Sequence, residues 1–292
     1  MKSIASKLLR FAAVAILALA LTACELIRPR PPQQHAATSE TVASFSSGRP
    51  GGTFPQGWKP AALPKFRKVT QYSLVNDGGT TVVHAVADSS SSGLAYDVNI
   101  DPHQLSMVRW RWKVPHIIPG EDNTKRERED APARIAFAFS GNASRLPFSE
   151  RLFSAQVKAL AGIDVPYATL EYIWGDGAPA GTVIVNSWSS RIRMLVVESG
   201  PKRTGQWIAE ERNLFEDFKR AFGEEPGELT HVAIYTDADA TGATAEAFYG
   251  DIEFTEQGSH GGSITASGSD ADRRSFTMGL APAAARRGSR TY

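Results

Sequence analysis

The sequence predicts a mainly β protein: a two-sheet antiparallel β-sandwich of jelly-roll type with one or two short helices. Three observations predict it. Apolar and polar residues alternate in short runs through the middle of the chain, turn-forming Gly, Asn and Ser clusters separate those runs, and only two stretches change to helical spacing. No internal repeat is evident, and the strand spacing favours two packed sheets over a closed barrel.

At the N-terminus Lys2, Lys7 and Arg10 precede an apolar run from Phe11 to Leu21 that ends in Leu21-Thr22-Ala23-Cys24. A basic start, an apolar core too short to span a bilayer and small residues at its end make residues 1–23 a secretory signal peptide. Leu-Thr-Ala-Cys resembles the lipobox of bacterial lipoproteins, which implies that Cys24 is lipidated and holds the protein to a membrane. In those lipoproteins Asp after the cysteine commonly means retention at the inner membrane, so Glu25 points to the outer one. Cys24 is the sole cysteine. No internal disulfide is available, and the fold must rest on its core.

Residues 24–57 are rich in Pro, Ser, Thr, Gln and Gly without apolar period and read as a flexible tether. Residues 256–292 read as a disordered tail. Residues 58–255 are then one β-sandwich domain. The formal net charge of +1 argues against a nucleic-acid partner, which would demand a strongly basic face.

Within the domain, Gln71 to Val75, Thr81 to Ala87 and Leu94 to Ile100 read as strands of antiparallel hairpins, separated by Asn76-Asp77-Gly78-Gly79 and a Ser-rich link. Met107 to Val114 divides its faces sharply. Val108, Trp110, Trp112 and Val114 fall on a core side, Arg109, Arg111 and Lys113 on a basic one; the alternative for the two tryptophans is an exposed platform for sugar rings. Pro115 to Pro132 is a charged connection, read as solvated but long enough to bear on a ligand. Arg134 to Ser140 returns as a strand, Ser149 to Leu160 as a helix covering one end of the sandwich, and Ala168 to Trp174, Thr182 to Ser187 and Ile192 to Glu198 as strands. In the last of these, Ile192, Met194 and Val196 are expected opposite Arg191 and Arg193. Asn213 as cap, Glu216 three residues later, and Gly223 with Pro226 bracket a second helix. Thr230 to Thr236 and Ala247 to Phe254 close the domain on either side of an acidic loop.

That loop, Asp237-Ala238-Asp239-Ala240-Thr241-Gly242, matches the first half of an EF-hand calcium loop and lacks the rest, because Phe248 stands where the bidentate Glu belongs. Asp237, Asp239, Thr241 and Asp251 are the candidate calcium ligands, joined by Asp130 if the charged connection reaches them; the other reading is a plain turn. Polar strand faces gather Asp97, Asn99, Arg109, Arg111, Lys113, Arg134, Glu171, Asn186 and Arg193 if their strands are neighbours. Such a face is either wet or a ligand groove, and Arg109, Arg111, Lys113, Arg134, Asn186 and Arg193 are its candidate ligand-binding residues. Glu171, Asp251 and Glu253 are candidate acid–base carboxylates, whose separation sequence does not give. Neither a zinc spacing of histidines nor a Gly-x-Ser-x-Gly elbow is present.

Arg109-Trp-Arg-Trp-Lys-Val114, Glu129-Asp-Ala-Pro-Ala-Arg134, Tyr172-Ile-Trp174, Glu211-Arg-Asn213 with Asp217, Thr236-Asp-Ala-Asp239 and Tyr249-Gly-Asp-Ile252 together resemble the bacterial family called domain of unknown function 3047. The likeness covers nearly all of Trp58 to Phe254 and implies no activity. The closing strand also resembles that of jelly-roll carbohydrate-binding modules. The expected function is thus a lipid-anchored envelope protein, attached to its membrane through Cys24, that binds an envelope glycan or another polar polymer. The alternatives are a hydrolase or lyase acting on polysaccharide through paired carboxylates, and a scaffold among envelope proteins.

Overall fold

The structure, a computed structural model, describes residues 39–42, 44–61, 68–162 and 164–258. The expected signal peptide, Cys24 and all but the first residues of the expected tail lie outside them. Among the described residues, β1 (Ser39–Val42), β3 (Gln71–Asp77), β4 (Thr80–Asp88), β6 (Met107–Lys113), β11 (Ile208–Asn213) and β13 (Thr244–Thr255) form one sheet, ordered β11-β6-β13-β4-β3 with β1 beside β13. The second sheet is ordered β2-β5-β12-β7-β8-β10-β9, from β2 (Lys59–Ala61), β5 (Ser91–Ile100), β7 (Ala131–Phe139), β8 (Ala168–Gly175), β9 (Val183–Val185), β10 (Ile192–Ser199) and β12 (Leu229–Asp237). Helix α1 (Phe148–Ala161) lies in the β7–β8 connection and α2 (Leu214–Phe222) follows β11 directly. This is a mainly β, two-sheet sandwich of jelly-roll type.

The alternating residues of the facing strands fill the space between the sheets. Val108, Trp110 and Trp112 of β6 meet Phe137 of β7 and Leu170, Tyr172 and Trp174 of β8, all buried. Trp110 stacks on Tyr172 with centroids 5.2 Å apart. Each such large apolar side chain contributes about 1.5–3 kcal/mol by leaving water, so both tryptophans belong to the core and neither is a sugar platform. At the sandwich end, the Asn213 side chain accepts from the Glu216 amide at 2.9 Å, and Gly223 closes α2 with φ +73°. Asp217 fixes the helix by accepting from Tyr172 Oη at 2.9 Å and from Arg212 at 2.8 and 2.7 Å.

Several expectations change. Only the first of the two turns makes a hairpin: Gly78 and Gly79, with φ +62° and +86°, turn β3 into β4. The Ser-rich link instead carries the chain from one sheet to the other, since β4 and β5 have different neighbours. The acidic loop likewise bridges the two sheets, from β12 to β13. The sheet is not wholly antiparallel, because β10 runs parallel to β8 with β9 on its far side. The fold also begins before residue 58. Ser39–Val42 pairs with β13, and Val42 and Phe45 are buried, so the end of the supposed tether closes an otherwise open stretch of β13. Strand β11, too polar to stand out in the sequence, is stabilised by pairing with β6.

The charged connection is a strap and not a solvated loop. Glu121, Asn123 and Asp130 are buried, and the Glu129 carboxylate accepts from Asn186 at 2.6 Å and Ser187 at 3.2 Å. The strap thereby covers the outer side of β8 and β10. Met194 and Val196 pack there with Ile173, Ile184 and Ala131 in a cluster separate from the main core. The apolar side of β10 is therefore buried outside the sandwich, while Leu195 faces inward.

Candidate functional site

Register across the larger sheet places the outward residues in rows. Ala95, Ala233, Ala136, Glu171 and Met194 lie level on β5, β12, β7, β8 and β10. The next row holds Gly93, Tyr235, Arg134, Ile173 and Val196; the row on the other side holds Asp97, His231, Ala138 and Thr169. Three alanines between a row that carries Tyr235 and Arg134 and a row that carries Asp97 and His231 make a trough, about 14 Å from β5 to β8 at the usual strand spacing. Glu171 stops one end. At the other, Asp97 pairs with Lys59 at 2.6 Å and with His231 at 3.3 Å. Tyr235 lines the side, its ring so close to Gly93 that a Cβ there would lie 2.5 Å from a ring carbon. Glycine at 93 thus lets an aromatic ring lie against the outer face of β5.

Arg134 organises the polar end. Its Nε and Nη2 donate to the two oxygens of Asp237 at 2.9 and 3.1 Å, Nη1 donates to Glu171 at 2.9 Å, and Nη2 also reaches the Glu129 carbonyl at 3.2 Å. Burial works against its charge, and Asp237, Glu171 and Glu129 together outweigh that, keeping it protonated. Burial pushes Asp237 up to about 7 despite the pull of Arg134, and raises Glu129 as well. Burial, with the neighbouring Glu171 and Asp237 charges, lifts Tyr235 to about 12, so the phenol stays neutral.

Asp130, Asp237 and Asp239 converge, with one oxygen of each within 4.8 Å of the others. The Asp130 carboxylate, however, accepts from the Ala240 amide at 3.0 Å, the Thr241 amide at 2.7 Å and the Thr241 hydroxyl at 2.6 Å. Asp237 is held by Arg134. These bonds account for the two carboxylates as braces of the inter-sheet turn. Asp251 does not join them: it accepts from the Ser46 amide and hydroxyl at 2.9 and 2.5 Å. The four expected calcium ligands therefore do not form one set.

The six expected ligand-binding residues are also dispersed. Arg109, Arg111 and Lys113 lie on the outer side of the smaller sheet, where Arg109 pairs with Glu211 at 3.0 Å, Arg111 covers Trp207 at 4.7 Å and Lys113 pairs with Asp77. Arg134 and Asn186 lie on the opposite outer side of the molecule. Arg193, level with the inward Leu170, lies 5.6 Å over Phe222. Glu171 and the pair Asp251 and Glu253 are similarly divided. Their inward neighbours Tyr172, Ile252 and Phe254 all enter the core, which puts Glu171 outside one sheet and the other two outside the second. They cannot serve as acid and base on one bond.

Sequence reasoning missed Tyr235, Glu121, Asn123 and Trp188. Tyr235 alternates with Ile234 and Thr236 in a way that marks a face without ranking it; the available signal was Gly93, a strand glycine. Trp188 is 51% exposed in the β9–β10 turn, with the Arg126 guanidinium 3.2 Å above its ring. A further carboxyl pair faces inward at the sandwich margin. Glu210, level with Trp110, and Glu198, level with Trp174, lie together, and burial and Glu198 raise Glu210 to about 7.

Residues 56–253 match the family described as "Protein of unknown function (DUF3047)". The chain belongs to this family. No curated protein sequence matches it. Among solved structures it is similar to the arabinose-bound α-L-arabinofuranosidase MgGH51, at 9% identity and a TM-score of 0.35, over 76% of this chain but only 26% of that enzyme. The carbohydrate recognition domain of Emp47p aligns at 14% identity and a TM-score of 0.36, over 74% of this chain and 94% of that domain. Endoglucanase 3 of Trichoderma harzianum, from glycoside hydrolase family 12, aligns at 8% identity and a TM-score of 0.35, over 76% of this chain and 98% of the enzyme.

Proposed function

We propose that this protein binds a glycan of the cell envelope in the alanine-floored trough of its larger sheet, held to a membrane through lipidated Cys24. The observation that carries the reading is the trough itself. An aromatic ring lies along it at Tyr235, a carboxylate fixed by Arg134 closes it at Glu171, and an imidazole and a carboxylate stand at the far end. An apolar floor with a few fixed polar groups is the usual make-up of a small-molecule site. Such a floor receives the apolar face of a sugar ring while rim groups take its hydroxyls. Binding is favoured over hydrolysis because Glu171 and Asp97 stand about 14 Å apart or more by strand spacing, beyond the roughly 5–9.5 Å that either glycosidase geometry needs.

Calorimetric titration with soluble envelope oligosaccharides tests the site. Tyr235→Ala and Glu171→Gln are each expected to weaken binding at least about tenfold, equivalent to about 1.4 kcal/mol, while Arg109→Ala with Arg111→Ala leaves it unchanged. Binding that follows the arginines instead moves the site to the other sheet, and silence across a broad panel ends the glycan reading. The anchor is tested separately. Cys24→Ala is expected to abolish incorporation of labelled palmitate and release the protein from the membrane fraction; unaltered labelling refutes lipidation at Cys24.

A further inference from the structure

We infer that the strap over the larger sheet seats a divalent cation of calcium type at Glu121 and Asn123, a site distinct from the EF-hand-like turn. Glu121 is 4% exposed and Asn123 5%. Both carboxylate oxygens of Glu121 and the side-chain oxygen of Asn123 lack a full hydrogen-bond partner, the Asp176 backbone being the one hydrogen-bonding group that acts on Glu121. Burying such groups unpaired is costly, so something must meet them.

The three atoms are all acceptors, and this restricts the occupant. A proton on Glu121 supplies one donor and a water two, whereas one cation serves all three oxygens. Calcium takes six to eight oxygen ligands at about 2.3–2.6 Å in irregular geometry, and carboxylate with amide oxygen is its usual donor set. Room is provided by glycine. A Cβ on Gly175 would stand 3.7 Å from Glu121 Oε1 and 3.4 Å from Asn123 Nδ2, so both side chains border the space that this glycine leaves. The charge balance agrees. Arg134 is the cation acting on Glu121, and it is already committed to Asp237 and Glu171, while Asp176 and Asp237 add negative charge around the same carboxylate.

The role that follows is mechanical. A cation at Glu121 and Asn123 would tie the strap to the β8 end at Gly175, and the strap carries Glu129, which braces Arg134. Metal binding and the fold of the strap are then linked, as they are wherever a site is assembled from a loop.

Terbium luminescence and calcium titration of the full chain at neutral pH give the test. The wild type is expected to bind one ion and melt several degrees higher in millimolar calcium than in EDTA. Glu121→Gln is expected to lose the calcium-dependent rise while melting at least as high as the wild type in EDTA, because the amide brings its own donor to the buried site. Asn123→Ala keeps the Glu121 carboxyl and is expected to weaken calcium at least tenfold with an unaltered circular dichroism spectrum, which covers the case of a poorly folded Glu121 variant. Asp239→Asn and Asp251→Asn should leave the affinity unchanged. Binding lost in Asp239→Asn but retained in Glu121→Gln would assign the ion to the turn and overturn the inference. Identical melting in calcium and EDTA would overturn it too, leaving water and a proton as the partners of these oxygens. The calcium readout does not depend on the glycan reading, which is tested at Tyr235 and Glu171.

Discussion

Arg134→Met is expected to destabilise the fold by about 3–5 kcal/mol, the usual cost of removing one partner from a buried charge network. The guanidinium satisfies both oxygens of Asp237 and one of Glu171, and all three side chains are buried or nearly so. Methionine fills much of the same volume and leaves the carboxylates facing one another in a low dielectric. Arg134→Lys should recover only part of the loss, since an ammonium is a point charge and cannot span Asp237 bidentately. Urea unfolding at pH 7 measures both. The informative variant is the triple change Arg134→Met, Asp237→Asn, Glu171→Gln, which removes the stranded charges together and should restore most of the stability. A triple variant as unstable as Arg134→Met alone would show that packing, not unpaired charge, sets the cost.

That network was only half legible in the sequence. Arg134 and Glu171 stand out as charged residues inside strands, and period-two alternation puts them on a non-core face, whereas Asp237 reads as the first residue of the acidic loop. Alternation assigns residues to one side of their own strand, but it cannot say which strands are neighbours. Arg109 and Arg134 look equivalent by that rule and lie on opposite outer sides of the molecule. The pairings that decide this, such as β12 between β5 and β7, are contacts distant in sequence.

Where the relevant forces are local, the reading was sound. Trp110 and Trp112 are core residues because Val108 and Val114 share their face, and Asn213 and Gly223 bound α2 because capping is decided within one helical turn. The strap was missed for the opposite reason. Its charged composition resembles a solvated loop, yet every residue of β7 is buried, on the inside by the smaller sheet and on the outside by neighbouring side chains and, towards Ala131 and Arg134, by the strap. The outer cluster of Met194, Val196 and Ile173 is the apolar surface that requires such a cover. A strand with large apolar residues on one side and Arg193 on the other says that one side is buried, not which.

The stability of the protein is expected to fall as pH rises from about 5 to 8, with Glu210 a main contributor. Its carboxyl lies beside Glu198 at the sandwich margin, with Arg203 and Arg212 as the cations facing the pair; Arg203 is bonded to Glu198 and Arg212 to Asp217. Burial first and the adjacent Glu198 second raise Glu210 from an ordinary 4.5 to about 7. The folded chain thus keeps a proton that the unfolded chain has released. Between those values the unfolded state binds fewer protons, so stability is full below about pH 4.5 and is lost as pH passes through 7. Asp237, also raised to about 7, adds a slope of the same sign. Because Glu210 is partly open to solvent, its share is discounted to about 1–2 kcal/mol, or about 2–4 °C of melting temperature per kcal/mol for a domain of this size. Glu210→Gln imitates the protonated acid, can donate to Glu198 at any pH, and should flatten the profile by that amount while raising the melting temperature at pH 8. Parallel profiles for the variant and the wild type would mean that Glu198 and Glu210 do not share a proton, and the slope would then belong to Asp237 and the network around Arg134.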